Sequence, residues 1–297
     1  SIAQSLMFVN GFLMFLIKNN SFRIKSTLIF LILCAIIHLQ KHEGVDYMDS
    51  RLYPMIFKRK SFHIFRDIGS IDSHELQSIE EAYKTFTPLV GDIKTAIKIV
   101  PADETTCKRG QEYCILLYSE KKENYLQNIG YIGEQLDLYL ASLGIGALWF
   151  GIGKPDEPTY NGLDFVIMIA IAKMPEDKFR KDMFKSKRKS LDEIWNGEQH
   201  RDIGDIVRFA PSACNTQPWK VTAEEKCLTV YRYKKLGKRG IMPADKVVHY
   251  NRIDIGIFLC FLELCMMQSD VFYERELFTD TAESDCEEVL TAKYRLN

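Results

Sequence analysis

Ten consecutive residues, Ala210-Pro211-Ser212-Ala213-Cys214-Asn215-Thr216-Gln217-Pro218-Trp219, concentrate the side-chain types of a ligand-binding loop. Pro211 and Pro218 fix φ and remove two N–H donors, while Ser212 and Ala213 leave their backbone amides uncovered. Asn215 and Gln217 each offer a donor and an acceptor. Trp219 opens an extended run to Thr222 that can pin the loop to the core. The chemistry such a loop supports is the close approach of backbone to a flat ligand. A second cluster lies far upstream, at Lys58-Arg59-Lys60-Ser61-Phe62-His63. A phosphate dianion calls for a guanidinium fork and a hydroxyl donor, and Arg59 and Ser61 supply both. Residue by residue, each cluster also has a plainer reading. The first then is a proline-rich connector with a buried Trp, and the second a solvated basic run at a helix end.

The run Ala-Pro-Ser-x-x-Asn-x-Gln-Pro-Trp resembles the signature loop of the nitroreductase family, FMN-dependent oxidoreductases. In that family the loop lies along the isoalloxazine and ribityl chain, so the resemblance implies FMN contacts at Pro211, Ser212, Ala213 and Asn215. Nitroreductases typically open with an Arg-x-Ser-x-Arg pattern that grips the FMN phosphate. Here that pattern falls on Arg59, Lys60, Ser61 and His63, with His63 where the family has Arg, which weakens one charge-assisted contact or makes it pH-dependent. The glycine-rich stretch Gly144 to Gly153 resembles the family segment beside the flavin ring and puts Phe150 and Gly151 closest to it. By its residues alone it reads as well as a helix C-cap followed by a hydrophobic return into a sheet. It is not a dinucleotide fingerprint, because its glycines follow a helix and do not open one. The basic run Lys185 to Leu191 resembles the segment that returns to the phosphate, with Arg188 the first choice and Lys187 the second. What the resemblance implies is FMN-dependent reduction of nitroaromatic or quinone acceptors by NADH or NADPH, with ping-pong kinetics. The flavin carries that chemistry, with no protein nucleophile or base. The alternative is an FMN carrier or sensor without turnover, which His63 and a degenerate first-half loop favour.

These motifs need elements to hold them, and the pattern of the chain predicts an α+β fold. Asp72 with Glu75 three residues on is a capping box that opens a helix over Ser73 to Lys84. Ile97 to Val100, Cys114 to Tyr118 and Phe165 to Lys173 carry the β-branched and aromatic content of strands. Between Tyr125 and Leu143, the residues Ile129, Ile132, Leu136, Leu140 and Leu143 make one continuous apolar stripe at helical spacing. Ile253 to Met267 is apolar on nearly every side and must be buried. Sliding the chain by 123 residues lays Ile132-Gly133 on Ile255-Gly256, which predicts a duplicated chain with its two long helices packed at Gly133 and Gly256. The expected architecture is a nitroreductase-like pseudo-dimer, central helices against mixed or antiparallel sheets, with halves at about 48–180 and 181–297. Its phosphate motif comes from the first half and its flavin loop from the second, so the resemblance implies one FMN per chain, in a monomeric pseudo-dimer or a homodimer.

Composition narrows the class. A net charge of −1 argues against a nucleic-acid partner, and 46% apolar with 27% charged residues is ordinary for a globular protein. The cysteines show no metal-ligand spacing, which reads as reduced thiols in a cytoplasm. Residues 1–47 differ in character: the apolar runs Leu6 to Ile17 and Leu28 to Leu39 each fall short of the roughly 20 residues a bilayer span needs. A membrane anchor is one reading of them. The favoured reading is translated upstream sequence, with Met48 the natural start, because Glu43-Gly44-Val45 can be encoded by bases containing a ribosome-binding sequence.

Overall fold

Two long helices with opposite kinds of sequence meet at the centre of the fold. The computed structural model describes residues 48–233, 242–280 and 288–297, all within one unit, Met48–Asn297. The readings of residues 1–47 lie outside the described residues. After the short helix α1 (Met55–Lys58) and helix α2 (Ser73–Tyr83), strands β1 (Thr95–Pro101) and β2 (Tyr113–Ser119) lead into the long helix α3 (Tyr125–Ser142). Strands β3 (Ile145–Phe150), β4 (Thr159–Tyr160) and β5 (Leu163–Lys173) follow. The chain continues through α4 (Leu191–Ile194), β6 (Trp195–Asn196), α5 (Arg201–Val207), β7 (Trp219–Glu224) and β8 (Cys227–Tyr233). It closes with the long helix α6 (Val247–Gln268), β9 (Tyr273–Leu277) and β10 (Glu288–Leu296). Helix α2 begins where its capping box demands: Asp72 accepts from the Glu75 amide at 2.8 Å and Glu75 accepts from the Asp72 amide at 3.2 Å.

The strands form two sheets of like design. One runs β1-β2-β5-β3, the other β7-β8-β10-β9 with β6 added at the β7 edge. All pairings are antiparallel except β6 with β7. In each sheet the first two strands are consecutive in sequence and the last two are exchanged in order. Each long helix therefore precedes the strand that takes the sheet edge.

The apolar stripe of α3 is buried at Ile129, Ile132, Leu136 and Leu140, and α6 is buried along Ile253–Met266. Their contact corrects one expectation. Gly256 does meet the partner helix, but through Gly130, not Gly133. A Cβ on Gly130 would lie 2.0 Å from the Ile253 carbonyl oxygen, and one on Gly256 would lie 1.9 Å from that of Gln127. Backbone thus touches backbone, and only glycine permits it. Gly133 instead receives the Trp149 ring, 2.5 Å from where its Cβ would stand. The contact is two-fold symmetric at an offset of 126 (127 to 253, 130 to 256, 131 to 257), not 123. The sequence slide was in error by three residues, close to one helical turn, a shift that leaves an apolar stripe nearly in register with itself.

Candidate functional site

The decapeptide is held from both ends. Trp219, fully buried at the start of β7, stacks on Phe258 of α6 with ring centroids 4.9 Å apart. Phe209 and Ala210, just ahead of Pro211, are also fully buried. Between these anchors Cys214, Asn215 and Gln217 all adopt positive φ, near 50°, which costs non-glycine residues energy unless local bonds compensate. They do compensate. The Gln217 amide donates to Ser212 Oγ at 3.0 Å, Gln217 Nε2 donates to the Asn215 carbonyl at 3.2 Å, and Gln217 Oε1 accepts from the Lys189 amide at 2.8 Å.

The upstream cluster reaches the same place along β3. Ser61 bridges in parallel to Ala147, and the Phe62 amide donates to the Ala147 carbonyl at 3.0 Å. β3 is the edge strand of its sheet, so residues 61–63 extend the sheet towards the decapeptide. Gly144, in the left-handed conformation, ends α3, so the glycine-rich stretch is both a helix cap and a strand that passes the site.

Two adjoining cavities result. An apolar one of about 260 Å³ is lined by Leu148, Trp149, Phe150, Gly151 and Ile152 on one side and by Pro211, Ser212, Ala213, Tyr250, Ile253 and Asp254 on the other. A basic one of about 680 Å³ is lined by Lys60, Arg180, Lys181, Lys185, Ser186, Arg188 and Asn215. Ser61, His63, Pro211, Ser212 and Cys214 line both, so the two form one cleft.

The electrostatics of the basic end are unbalanced. Arg188 donates to Asn215 Oδ1 at 2.9 Å and to the Lys187 carbonyl at 3.0 Å, yet its buried Nε has no partner. Burial, then Arg59, then Arg208 push the Arg188 guanidinium down to about 10, and burial, then Arg59, then Arg188 do the same to Arg180. Three guanidinium groups converge with little to offset them. Arg59 itself lines neither cavity. It is buried, paired with Asp137 at 2.8 Å and Glu134 at 3.7 Å, and it donates to Ser61 Oγ at 3.2 Å, so it reaches the cleft through Ser61. Its Nε and Nη1 and both oxygens of Glu134 lack hydrogen-bond partners. Burial first and Asp137 second push Glu134 well above the ordinary carboxylate range.

Over residues 51–266 the chain matches the family described as "Putative TM nitroreductase". It belongs to that family. Membership makes it an oxidoreductase. Among solved structures it resembles a "putative nitroreductase" from Thermotoga maritima, 16% identical, with a TM-score of 0.53 over 86% of this chain and 97% of that one, which is a likeness of fold. Two others are a "putative nitroreductase in complex with FMN" from Desulfovibrio desulfuricans and a "Putative NADH Oxidase" from Clostridium acetobutylicum. The first is 17% identical with a TM-score of 0.34, covering 48% of this chain and 93% of its own; the second is 14% identical with 0.35, covering 47% and 96%. No curated protein matches the chain in sequence.

Of the residues singled out from sequence, this nitroreductase-family chain brings Lys60, Ser61, His63, Phe150, Gly151, Arg188, Pro211, Ser212, Ala213 and Asn215 to the cleft and leaves Arg59 behind it. One expectation about the loop is corrected. The Ala213 amide is not uncovered; it donates to Asp254 Oδ1 at 2.9 Å. Sequence reasoning missed Arg180, Lys181, Tyr250 and Asp254. Arg180 sits in a charge-dense run with no distinguishing mark. Asp254 did carry a signal, an acid inside an otherwise apolar helix. Tyr250 donates to the Gly151 carbonyl at 2.7 Å and so ties α6 to the end of β3.

Proposed function

We propose that the cleft binds FMN, the apolar cavity taking the ring and the basic cavity the phosphate, and that the chain uses it to pass electrons from NADH or NADPH to a nitroaromatic or quinone acceptor. The observation that carries this reading is the convergence of Arg59, Arg180 and Arg188 with orphaned guanidinium nitrogens at one end of a flat apolar slot. Buried cations without partners call for an anion, and a phosphate monoester matches the guanidinium and hydroxyl donors present. Bound FMN supplies two-electron hydride chemistry. The chain's own residues bind and orient. Arg180 and Arg188 face the phosphate directly and Arg59 polarises Ser61 from behind, while Leu148, Ile253 and Phe150 keep water from the ring. His63, exposed where the two cavities join, replaces the family's second Arg.

The reading includes one site per chain and a duplicated origin, with halves at about 48–180 and 181–297. At the offset of 126 the counterpart of Asp137 is Glu263. Where Asp137 neighbours orphaned groups, Glu263 is saturated: Tyr131, Tyr273 and Tyr294 each donate to it at 2.7 Å, and Arg275 pairs with it at 2.7 Å. The second half-site is closed by its own side chains. A monomer and a cytoplasmic setting complete the reading, the latter on the free thiols of Cys107, Cys114, Cys214, Cys227, Cys260 and Cys265.

Purified protein should be yellow, with flavin absorption bands that bleach on anaerobic addition of NADH or NADPH and return when a quinone is added. Bands that never bleach would leave an FMN carrier or sensor. Colourless protein that takes up no FMN refutes the reading.

A further inference from the structure

Asp254 has no part in the function as described, yet it is a buried carboxyl, 3% exposed, in the wall of the apolar cavity. Its two oxygens stand in different circumstances. Oδ1 accepts from the Ala213 amide at 2.9 Å. Oδ2 is buried and, among the described residues, has no hydrogen-bond partner. A carboxylate would leave half its charge there unsolvated, at a cost of several kcal/mol. A neutral carboxyl has a different need, because Oδ2–H is a donor that lacks only an acceptor.

The surroundings favour the neutral form. Burial pushes the carboxyl up to about 8, against the opposing pull of the Ala213 amide and the Thr216 hydroxyl. No cation offsets it. The titratable groups sharing its cavity are Cys214 from the loop, Tyr250 from one turn earlier on α6, and His63 and Arg109 from across the opening; β3 contributes none. One turn either way on α6 stand Tyr250, Asn251, Ile257 and Phe258. The Tyr250 hydroxyl is already committed to the Gly151 carbonyl.

Resting on the reading that the cleft holds flavin, we propose that Asp254 is a neutral hydrogen-bond donor in the ring cavity, its Oδ2–H engaging a carbonyl or imine acceptor on the edge of the bound heteroaromatic ring. The Ala213 amide, which the loop would otherwise offer to the ligand, is thereby relayed: it orients Asp254 through Oδ1, and Asp254 presents the donor in its place. Binding then needs a proton on the free protein. At pH values above the carboxyl's own titration that proton is taken up from solvent on binding, and the affinity falls as pH rises.

The test is the Kd of FMN for flavin-free protein, by flavin fluorescence quenching from about pH 7 to about pH 10, for the wild type and Asp254→Asn. The amide keeps an acceptor for Ala213 and a donor for the ring but has no proton to lose. Wild-type Kd should rise by about tenfold per pH unit once above about pH 8 relative to the Asn variant, which reads out only the titration of FMN and the other groups. Calorimetry at about pH 9, in buffers of different ionisation heat, should show close to one more proton taken up by the wild type. Equal slopes or equal proton uptake in the two proteins overturn the assignment. Binding with a flat wild-type profile overturns it too, and leaves the flavin reading intact; failure of either protein to bind FMN at any pH removes both.

Discussion

Replacing Arg180 with Gln should move two properties of the protein in opposite directions. Arg180 is half-buried at the basic end of the cleft and makes no side-chain hydrogen bond or ion pair among the described residues. Burial, Arg59 and Arg188 push its guanidinium down to about 10. A base whose folded value lies below its unfolded one is destabilising at every pH where it stays charged, and neutral pH is well inside that window. The depression corresponds to roughly 3 kcal/mol, which solvent screening of a half-buried group reduces to about 1–2 kcal/mol. Flavin-free Arg180→Gln should therefore melt higher than wild type, by about 2–6 °C for a domain of this size. With FMN the order reverses. Losing one charge-assisted phosphate contact, about 1.5–3 kcal/mol, should raise Kd roughly 10- to 150-fold. Thermal melts with and without FMN and a fluorescence titration read both quantities. A variant that melts lower without flavin, or that binds FMN as tightly as wild type, would show that the three arginines do not form an unfilled anion site.

Arg59→Ala should cost about 3–5 kcal/mol in urea denaturation, since it strands Asp137 in the core, and should also deplete flavin. Arg59→Met combined with Asp137→Leu should recover much of the stability and none of the flavin retention, which separates folding from binding. Gly256→Ala, which in an ordinary helix interior would gain about 1 kcal/mol, should lose about 2–3 kcal/mol because its methyl meets the Gln127 carbonyl. Gly91→Ala, where nothing lies within 4 Å of the new carbon, is the matching control and should stay within about 0.5 kcal/mol of wild type.

Local signals gave the elements reliably where one interaction decided them. The capping box set the start of α2, and the stripe of α3 and the all-round apolarity of α6 told which helix lies at the surface of the core and which inside it. The decapeptide was legible because its residues bond mainly to one another and to Lys187–Lys189. What the pattern could not carry was rotation and register. A stripe repeats with nearly the same phase after one turn, so nothing local separates Gly130 from Gly133; only the approach of the facing carbonyls does. Arg59 looked like a surface cation in a basic run because its acids, Glu134 and Asp137, lie more than seventy residues away. Arg180 was hidden in the same manner, in a run whose neighbours face solvent. The polar marks of α6 were visible, but that Asp254 meets the Ala213 amide depends on the packing of α6 against the loop.

The left-handed residues of the decapeptide have a consequence for how the cleft fills. Their conformations are secured by bonds inside the protein, from Ser212, Gln217, Lys189 and Asp254, so the bend already has its final form before any guest arrives. Entropy that a supple loop would surrender on each encounter has been surrendered once, during folding. The empty and filled proteins should then superimpose along this segment, and affinity should depend on the guest's own contacts, undiminished by remodelling of the host.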